Sequence, residues 1–155
     1  MNSIVVHYQE IALKGKNRPW FLGRLVRNLR HAVSDLDVVA VRPLMGRIEI
    51  VLAPGASRDE VDDRIRRTFG LANFAPAVRC AADIDAMIDA VTRVLPTEAP
   101  VSFRVRATRS DKRFPVPSPE IERRVGGAIH DAHGWPVDLR AAALTVHVEV
   151  VAGAA

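Results

Sequence analysis

Two clusters of basic residues are the part of this sequence most able to do chemistry. The first holds six Lys and Arg side chains with no acid between them, and the second holds five that only Asp111 interrupts. The first cluster consists of Lys14, Lys16, Arg18, Arg24, Arg27 and Arg30, and the second of Arg104, Arg106, Arg109, Lys112 and Arg113. Clustered positive charge favours a polyanion, because each neutralised phosphate releases counterions. The alternative is a pair of solvated charged surfaces.

A candidate phosphate-binding loop lies at residues 13–18, ahead of a predicted helix. Gly15 permits backbone angles that other residues avoid, and the N–H groups at a helix start favour an anion. A plain connection between strand and helix stays open as the alternative. We predict RNA contacts here from Lys14, Lys16, Asn17 and Arg18. Trp20, just beyond the loop, is expected to fill a core or an interface rather than to stack on a base.

A second candidate site begins at the alternating run 101–106. Its pattern predicts a half-buried strand that presents Arg104 and Arg106 on one face. A polar loop at 107–117 follows, and three more cations in it are predicted to contact RNA, namely Arg109, Lys112 and Arg113. Phe114 beside them either stacks on an exposed base or anchors the loop, and both interpretations stay open.

The helix predicted after this loop completes the second site. Arg123 and Gly127 fall opposite its apolar stripe, and Arg124 lies at the border. A glycine inside a helix costs about 1 kcal/mol relative to alanine, so Gly126 and Gly127 need a reason. Tight packing on the sheet is the commoner reason, and close approach of a ligand backbone is the other. We predict RNA contacts from Arg123, Arg124 and Gly127.

No catalytic or metal site is predicted. The sequence contains neither G-x-x-x-x-G-K-[ST] nor G-x-G-x-x-G, and no Ser/His/Asp arrangement suggests itself. His130 and His133 lie three residues apart without a cysteine or carboxylate cluster. Cys80, the single cysteine, suits a small buried position and a reducing compartment. There is no signal peptide and no apolar run of about 18 residues, so we expect a cytoplasmic protein that does not enter a membrane.

The elements that must position these residues fall into two halves of an α+β protein. Residues 1–79 are predicted to form strand–helix–strand–strand–helix–strand, the ferredoxin-like plan of one sheet covered by two helices. The strands are expected at 3–8, 38–42, 47–52 and 73–79, with the hairpin connection at 43–46. The second helix is expected to start with a capping box of Ser57 and Glu60 and to bury Val61, Ile65 and Phe69.

Residues 80–155 are predicted to form a separate α/β domain. Asp83 is expected to cap a helix through Leu95, and Ser118 and Pro119 to open another. The core stripe of that second helix is predicted to be Ile121, Val125, Ala128, Ile129 and Ala132. Strands are expected at 101–106, 137–139 and 144–150. Gly153 looks like a turn into a further strand, so we expect this chain to be a piece of a longer protein.

The sequence resembles a known family in both halves. The segment at 10–18, EIALKGKNR, resembles the signature near the N-terminus of tRNA 4-thiouridine synthases, the tRNA sulfurtransferases that are also needed for thiamine biosynthesis. The second half resembles the THUMP domain that follows this signature. The residues that carry this likeness are 103–106, Arg109, Lys112, 114–115, 118–121, 125–129, Leu139 and 146–150.

The resemblance implies a ferredoxin-like domain at 1–79 and a THUMP domain at 80–155 that together grip the acceptor stem and 3′ end of tRNA. They would present uridine 8 to a separate catalytic domain of the ATP-pyrophosphatase type, which is where ATP and Mg²⁺ are expected. No cofactor and no catalytic residue is assigned to this chain, which is expected to be inactive alone, so whether to call it an enzyme stays open. A cysteine desulfurase, a separate catalytic chain and a second copy of the protein are the further partners that we expect.

Two other functions remain open. The chain could be a stand-alone adaptor that delivers tRNA to a separate modifying enzyme, because THUMP domains also occur in RNA methyltransferases, pseudouridine synthases and an acetyltransferase adaptor. The segment Lys14-Gly15-Lys16-Asn17-Arg18 favours the thiouridine family. A ferredoxin-like metabolite or acyl-phosphate enzyme is the third possibility, and the absence of its anion-loop signature and the long second half count against it.

Overall fold

A computed structural model describes residues 2–9, 16–44 and 46–151. The chain divides into two compact units, Met1–Ala77 and Val78–Ala155. Each unit has its own cluster of buried apolar side chains. Across the described ranges, not one helix combines the length and the apolar character that crossing a bilayer requires.

The first unit has the predicted ferredoxin-like order. Its elements are β1 (Asn2–Tyr8), α1 (Arg18–Ala32), β2 (Val38–Leu44), β3 (Arg47–Leu52), α2 (Arg58–Arg66) and β4 (Leu71–Val78). The four strands form one sheet in the order β2-β3-β1-β4, and β3 runs antiparallel to both β1 and β2. The split strand order places β1 and β3 in the centre, which is the ferredoxin-like topology that the sequence predicts.

Apolar periodicity determines which faces meet in the first unit. The face of the two central strands that carries Ile4, Ile48 and Ile50 is fully buried, and β3 is also buried on its other face at Glu49 and Val51. The helices bury Leu29 from α1 and Ile65 from α2 in the same cluster. Because strand side chains alternate between faces, both helices cover one face of the sheet.

Three details of the first unit differ from the sequence predictions. Strand β2 continues through Pro43, which is tolerated because β2 is an edge strand. Ser57 occupies the N-cap of α2, but its side chain makes no capping hydrogen bond, so the predicted capping box with Glu60 is wrong. Phe69 is 96% exposed rather than buried, because α2 ends at Arg66 and the helical stripe no longer applies at residue 69.

The second unit places two helices on a parallel strand pair. Its elements are α3 (Ile84–Thr92), β5 (Phe103–Arg109), α4 (Ser118–His133) and β6 (Leu144–Val150). The register of β5 and β6 runs from Phe103 opposite Leu144 to Arg109 opposite Val150. Asp83 caps α3 as predicted, and its carboxylate accepts hydrogen bonds from the backbone N–H groups of Asp85 and Ala86. Both helices pack on the apolar face of the strand pair.

The ends of elements in the second unit also differ from the predictions. Val101 is 86% exposed, because pairing of β5 begins only at Phe103, whose N–H donates to the carbonyl of Pro136. The strand then continues to Arg109, into the predicted loop, and α3 ends at Thr92 rather than at Leu95. Ala132 is exposed although the stripe of α4 predicts it in the core.

The predicted strand at 137–139 is reduced to a single bridge, in which Val137 pairs with Phe103. Val137 and Leu139 are both exposed. This single bridge satisfies the hydrogen bonds of the Phe103 backbone on the side away from β6, but it does not bury the side chains around Val137. Apolar residues in this segment therefore do not indicate a buried strand.

Candidate nucleic-acid interface

The outward face of β5 carries two arginines. Phe103, Val105 and Ala107 point into the core, so Arg104 and Arg106 point to the opposite face, as the alternation predicts. Residues of β6 extend this face, because the register places Thr145 beside Arg104 and His147 beside Arg106. We call Arg104, Arg106, Thr145 and His147 the β5–β6 face.

Arg104 is held in place by neutral acceptors. Its Nε donates to Thr145 Oγ1 at 3.0 Å, and one terminal nitrogen lies 3.3 Å and 3.4 Å from the carbonyl oxygens of Leu139 and Arg140. Neutral oxygens orient the guanidinium without cancelling its charge. The side chain therefore remains a preorganised cation with a second terminal nitrogen left to donate.

Arg106 is exposed and has no partner within the described part of the chain. An unpaired surface arginine keeps all five N–H donors hydrated, and a phosphate can replace that water with a bidentate contact. Neither Arg104 nor Arg106 forms an ion pair with a carboxylate among the described residues, although Asp138 is near enough to Arg104 for the guanidinium to help lower its pKa, and Glu149 projects from β6 on the same side.

The cations at the end of β5 and in the loop that follows it are held by other partners than those of Arg104. The Arg109 guanidinium donates to the carbonyl oxygen of Phe114 at 2.8 Å, and the Phe114 ring packs on the core, which favours the loop-anchor interpretation of that phenylalanine. Arg113 grips Asp111 with Nε and a terminal nitrogen, both at 2.9 Å. These hydrogen bonds hold the pKa of Asp111 at about 2. Lys112 is exposed and has no partner in the described ranges.

The outer face of α4 carries the rest of the predicted second site. Arg123 makes a double contact with Glu120, at 2.9 Å and 2.6 Å, and this pairing lowers the pKa of the Glu120 carboxyl. Arg124 is exposed and adds to the lowering. We call Glu120, Arg123, Arg124 and Gly127 the α4 face.

Packing against the described residues does not explain the two glycines of α4. A Cβ at Gly126 would meet Val105 Cγ2 at 3.5 Å, an ordinary van der Waals distance, and a Cβ at Gly127 would meet nothing within 4 Å. Of the two reasons that the sequence left open, tight helix–sheet packing does not require either glycine, and close approach of a ligand backbone stays a prediction. Gly127 leaves a shallow, sterically open spot on the helix surface.

The structure does not gather the predicted second site on one surface. Helix α4 covers the apolar face of β5 through Ile121, Val125 and Ile129, and Arg104 and Arg106 point away from that face. The β5–β6 face and the outermost residue of the α4 face, Arg123, are therefore on opposite sides of the unit. The sequence analysis grouped these residues because they are close in sequence. A strand and the helix that covers it are exposed to solvent on opposite sides, so the residues do not share one surface.

Two carboxylates in this unit accept hydrogen bonds from backbone N–H groups, which the sequence analysis did not predict. Glu122 accepts a hydrogen bond from the backbone N–H of Ala107 at 3.0 Å, on the edge of β5 that β6 leaves open. Asp138 accepts from the N–H groups of Arg140 and Ala141, and these bonds lower the pKa of Asp138. The position of Glu122, lateral to the apolar stripe of an amphipathic helix, is the signal that could have identified its contact.

The predicted phosphate loop of the first unit is only partly described. Lys14 and Gly15 lie outside the described residues. Lys16, Asn17 and Arg18 are exposed at the start of α1, and the Asn17 side chain makes no capping hydrogen bond. The three predicted contacts that can be placed are therefore adjacent and open to solvent.

Helix α1 presents a further basic surface. Trp20, Arg24, Arg27 and His31 are all exposed, opposite the buried Val26 and Leu29. The expectation that Trp20 fills a core is wrong, since Trp20 is 56% exposed, and the alternative of an interface stays a prediction. Arg30 belongs to the same basic cluster but has a structural role, because it donates twice to the carbonyl oxygen of Val41, at 3.1 Å and 2.9 Å.

The described residues contain no group of three or more His, Cys, Asp or Glu placed to hold a metal ion. His130 Nδ1 lies 2.9 Å from the carbonyl oxygen of Trp135, and the His133 ring packs on the Trp135 ring. Cys80 is half-buried against the core, and burial raises the pKa of its thiol. A raised pKa disfavours the reactive thiolate.

Comparison with known proteins identifies both units. Residues 3–75 match the family model of the ThiI ferredoxin-like domain, and residues 81–155 match that of the THUMP domain. A probable tRNA sulfurtransferase from Thermus thermophilus is 39% identical over 155 residues, which is 98% of this chain and 37% of that protein. One from Alkaliphilus metalliredigens is 33% identical over 154 residues, or 96% of this chain and 39% of that protein.

Solved structures agree with this assignment. A 4-thiouridine synthetase crystallised with RNA and bound ATP superposes with a TM-score of 0.82 at 26% identity, covering 99% of this chain and 39% of that one. PH1313 from Pyrococcus horikoshii superposes with a TM-score of 0.81 at 28% identity, covering 99% and 52%. The chain thus spans under two fifths of the two curated relatives, 37% and 39%. It belongs, unit by unit, to the ThiI ferredoxin-like and THUMP domain families, and it matches part of the tRNA sulfurtransferases.

Proposed function

We propose that this chain binds tRNA as the substrate-gripping part of a tRNA uracil 4-sulfurtransferase. The observation that carries the proposal is the β5–β6 face, where neither Arg104 nor Arg106 is hydrogen-bonded to a carboxylate among the described residues, and Asp138 interacts with Arg104 only electrostatically. Cations that are oriented but not neutralised suit the phosphate backbone of a folded RNA, which proteins read by shape more than by sequence. The solved 4-thiouridine synthetase complex that superposes on this chain contains RNA, which supports the choice of ligand.

The predicted contact residues contribute unequally in this proposal. The cations that are not hydrogen-bonded to a carboxylate bind phosphates directly, and they are Lys16, Arg18, Arg104, Arg106, Lys112 and Arg124. Arg113 and Arg123 must first leave a carboxylate, so each adds less. Lys14 is proposed on sequence alone, Asn17 adds a neutral donor, Arg109 acts through the loop that it anchors, and Gly127 offers only space.

The wider reaction is proposed from the family. The two units would hold the acceptor stem and 3′ end and present uridine 8 to a catalytic domain, where ATP and Mg²⁺ belong and where a cysteine desulfurase would deliver sulfur. Pairing with a second copy, a cytoplasmic location and a link to thiamine biosynthesis are proposed on the same basis. No residue of this chain is assigned a step in adenylation or sulfur transfer.

A filter-binding titration with purified tRNA tests the proposal. Wild-type chain should bind with an affinity that falls steeply with salt, because binding releases counterions from the RNA. The double substitution Arg104→Glu and Arg106→Glu should weaken binding and flatten the salt dependence, with a change of about 0.7–0.9 in slope for each phosphate that is no longer neutralised.

The controls separate binding from folding. Arg106→Glu alone avoids the hydrogen bonds of Arg104, and its melting temperature should match the wild type. Arg93→Glu makes the same change in net charge as Arg106→Glu, at the exposed C-cap residue of α3 on the helix side of the unit, and should leave the affinity nearly unchanged. Unchanged affinity and slope in the double variant would remove the proposal.

A further inference from the structure

The outer face of α1 has a composition unlike the other helices. Its fifteen residues include four arginines and no acid. Trp20, Arg24, Arg27 and His31 recur at spacings of four, three and four, which aligns them in one stripe along the helix. We call these four residues the α1 stripe. The buried Val26 and Leu29 fix the rotation of α1 on its sheet, so the stripe is held towards solvent.

The exposed indole is organised rather than loose. The Arg24 guanidinium lies over the Trp20 ring, 5.5 Å from its centroid, and the Phe21 ring meets Trp20 edge to face with centroids 4.9 Å apart. These contacts hold Trp20 although more than half of its surface faces water. A preordered aromatic ring loses little entropy when a flat ligand stacks against it.

The chemistry of the α1 stripe favours RNA over a protein partner. Two arginines and a histidine without any acid on the helix would require an acidic protein surface, whereas a nucleic-acid strand supplies one negative charge per nucleotide. Aromatic rings beside arginines are the usual platform for unpaired bases, because every base has a π-face. The stripe extends about 16 Å at 1.5 Å per residue, which is long enough to follow several nucleotides.

We propose that the α1 stripe is a second RNA-binding surface, in which Arg24 and Arg27 bind phosphates and Trp20 stacks on an unpaired nucleotide. The inference rests on the proposed function, since tRNA is the RNA that supplies both features. It adds a base-stacking contact to the first unit, whereas the loop at 14–18 and the β5–β6 face are proposed to contact phosphates.

Tryptophan fluorescence tests the stacking contact. The chain has two tryptophans, and Trp135 is only 6% exposed, so Trp20 is the one that a ligand can reach. The protein is titrated with tRNA and excited at the red edge of tryptophan absorption, and a parallel titration of free indole corrects for absorption by the RNA. The emission of the wild type should fall by a large fraction of the Trp20 contribution. The Trp20→Phe variant retains only Trp135, and its emission should not change.

Affinity tests the phosphate contacts. Arg24→Glu with Arg27→Glu should weaken tRNA binding by about tenfold or more and reduce the salt slope, because two phosphates are no longer neutralised. Both side chains are exposed and neither donates a hydrogen bond within the described chain, so the melting temperature should be kept. Because Arg24 also lies over the Trp20 ring, Arg27→Glu alone tests a phosphate contact without disturbing Trp20. Arg93→Glu is charge-matched to each single substitution, Arg24→Glu or Arg27→Glu, and should leave the affinity nearly unchanged.

The outcomes separate this inference from the proposed function. Wild-type chain that binds tRNA with unchanged emission, together with full affinity in the Arg24/Arg27 variant, would overturn the inference and leave the proposed function standing. Full tRNA affinity would also be the result if the α1 stripe bound a protein instead. No tRNA binding by the wild type would overturn both.

Discussion

The β5–β6 face and the α4 face each present two arginines to solvent, but the surroundings of these arginines differ. On the β5–β6 face, Arg104 is oriented by neutral oxygens and Arg106 is unpaired in the described chain. On the α4 face, Arg123 is clamped by Glu120, whose pKa it lowers. Equal numbers of arginines therefore do not give equal affinity for phosphate, because the nearest partner decides how much charge is available.

The same contrast separates α1 from α4. Both helices have proline in the first turn and several basic residues, but α1 has four arginines and no acid, whereas α4 has two arginines together with Glu120, Glu122 and Asp131. A helix without acids attracts a polyanion along its whole exposed side. A helix with interspersed acids forms local ion pairs, which are worth little for stability at an exposed surface and leave little net charge for a ligand.

The largest expected effect compares one arginine from each face of the second unit. Arg106→Ala should weaken tRNA binding by about tenfold or more, since a charge-assisted hydrogen bond is worth about 1.5–3 kcal/mol. Arg123→Ala should change the affinity by about twofold at most, because Arg123 is already paired with Glu120. Filter binding at one fixed salt concentration measures both, and equal losses would show that the pairing does not matter.

The next effect compares the two glutamates of α4. Glu122→Ala should lower the free energy of unfolding by about 1–2 kcal/mol, since the N–H of Ala107 loses its acceptor. Glu120→Ala should lower it by about 0.5 kcal/mol or less, because its ion pair is exposed. Urea denaturation followed by Trp135 emission in the Trp20→Phe background reports on this unit. Glu122→Gln keeps an acceptor and should restore most of the stability.

Gly127→Ala tests the open spot on the α4 face. Alanine should raise the free energy of unfolding by about 1 kcal/mol, because it favours the helix and its methyl group meets no neighbour. The same urea denaturation measures this gain. The tRNA affinity of the same variant should be unchanged. A severalfold loss of affinity would mean that an RNA backbone packs against α4, and the α4 face would then contribute more to RNA binding than the β5–β6 face.

Asp111→Asn should have the smallest effect. Removing the carboxylate releases Arg113 and should tighten tRNA binding by about twofold, in line with the small value of an exposed ion pair. The pKa of Asp111 is lowered to about 2, so the carboxylate is charged at neutral pH and the pair is lost only as the pH falls towards that value. The ratio of the tRNA affinity of the Asp111→Asn variant to that of the wild type should therefore be constant between about pH 5 and pH 8. A ratio that varies across this range would contradict the assignment.

Sequence periodicity was enough to predict the fold of the first unit and the outward direction of Arg104 and Arg106. Both follow from the repeat of two along a strand and of 3.6 along a helix, which depend only on local geometry. The ends of elements were less predictable, as Val101 and Phe69 show, because a hydrogen bond from a distant residue or the last turn of a helix decides where the repeat stops.

The candidate site was harder to predict than the fold. The pairing of Arg123 with Glu120 could have been predicted from the sequence, since residues three apart on a helix are neighbours. The split between the two faces was not, because it requires knowing which side of β5 is covered by α4. The exposure of Trp20 was also missed, although its spacing from Arg24, Arg27 and His31 already placed it on the polar side of α1.

The most direct test is a nuclear magnetic resonance titration of the 17.0 kDa chain with tRNA or an acceptor-stem RNA. We predict that the guanidinium signals of Arg104 and Arg106 and the backbone signals of Thr145 and His147 shift, while those of Glu120, Arg123 and Gly127 stay in place. Shifts confined to the α4 face, with the β5–β6 face unchanged, would contradict the central claim that arginines without a carboxylate partner are the ones that hold the RNA.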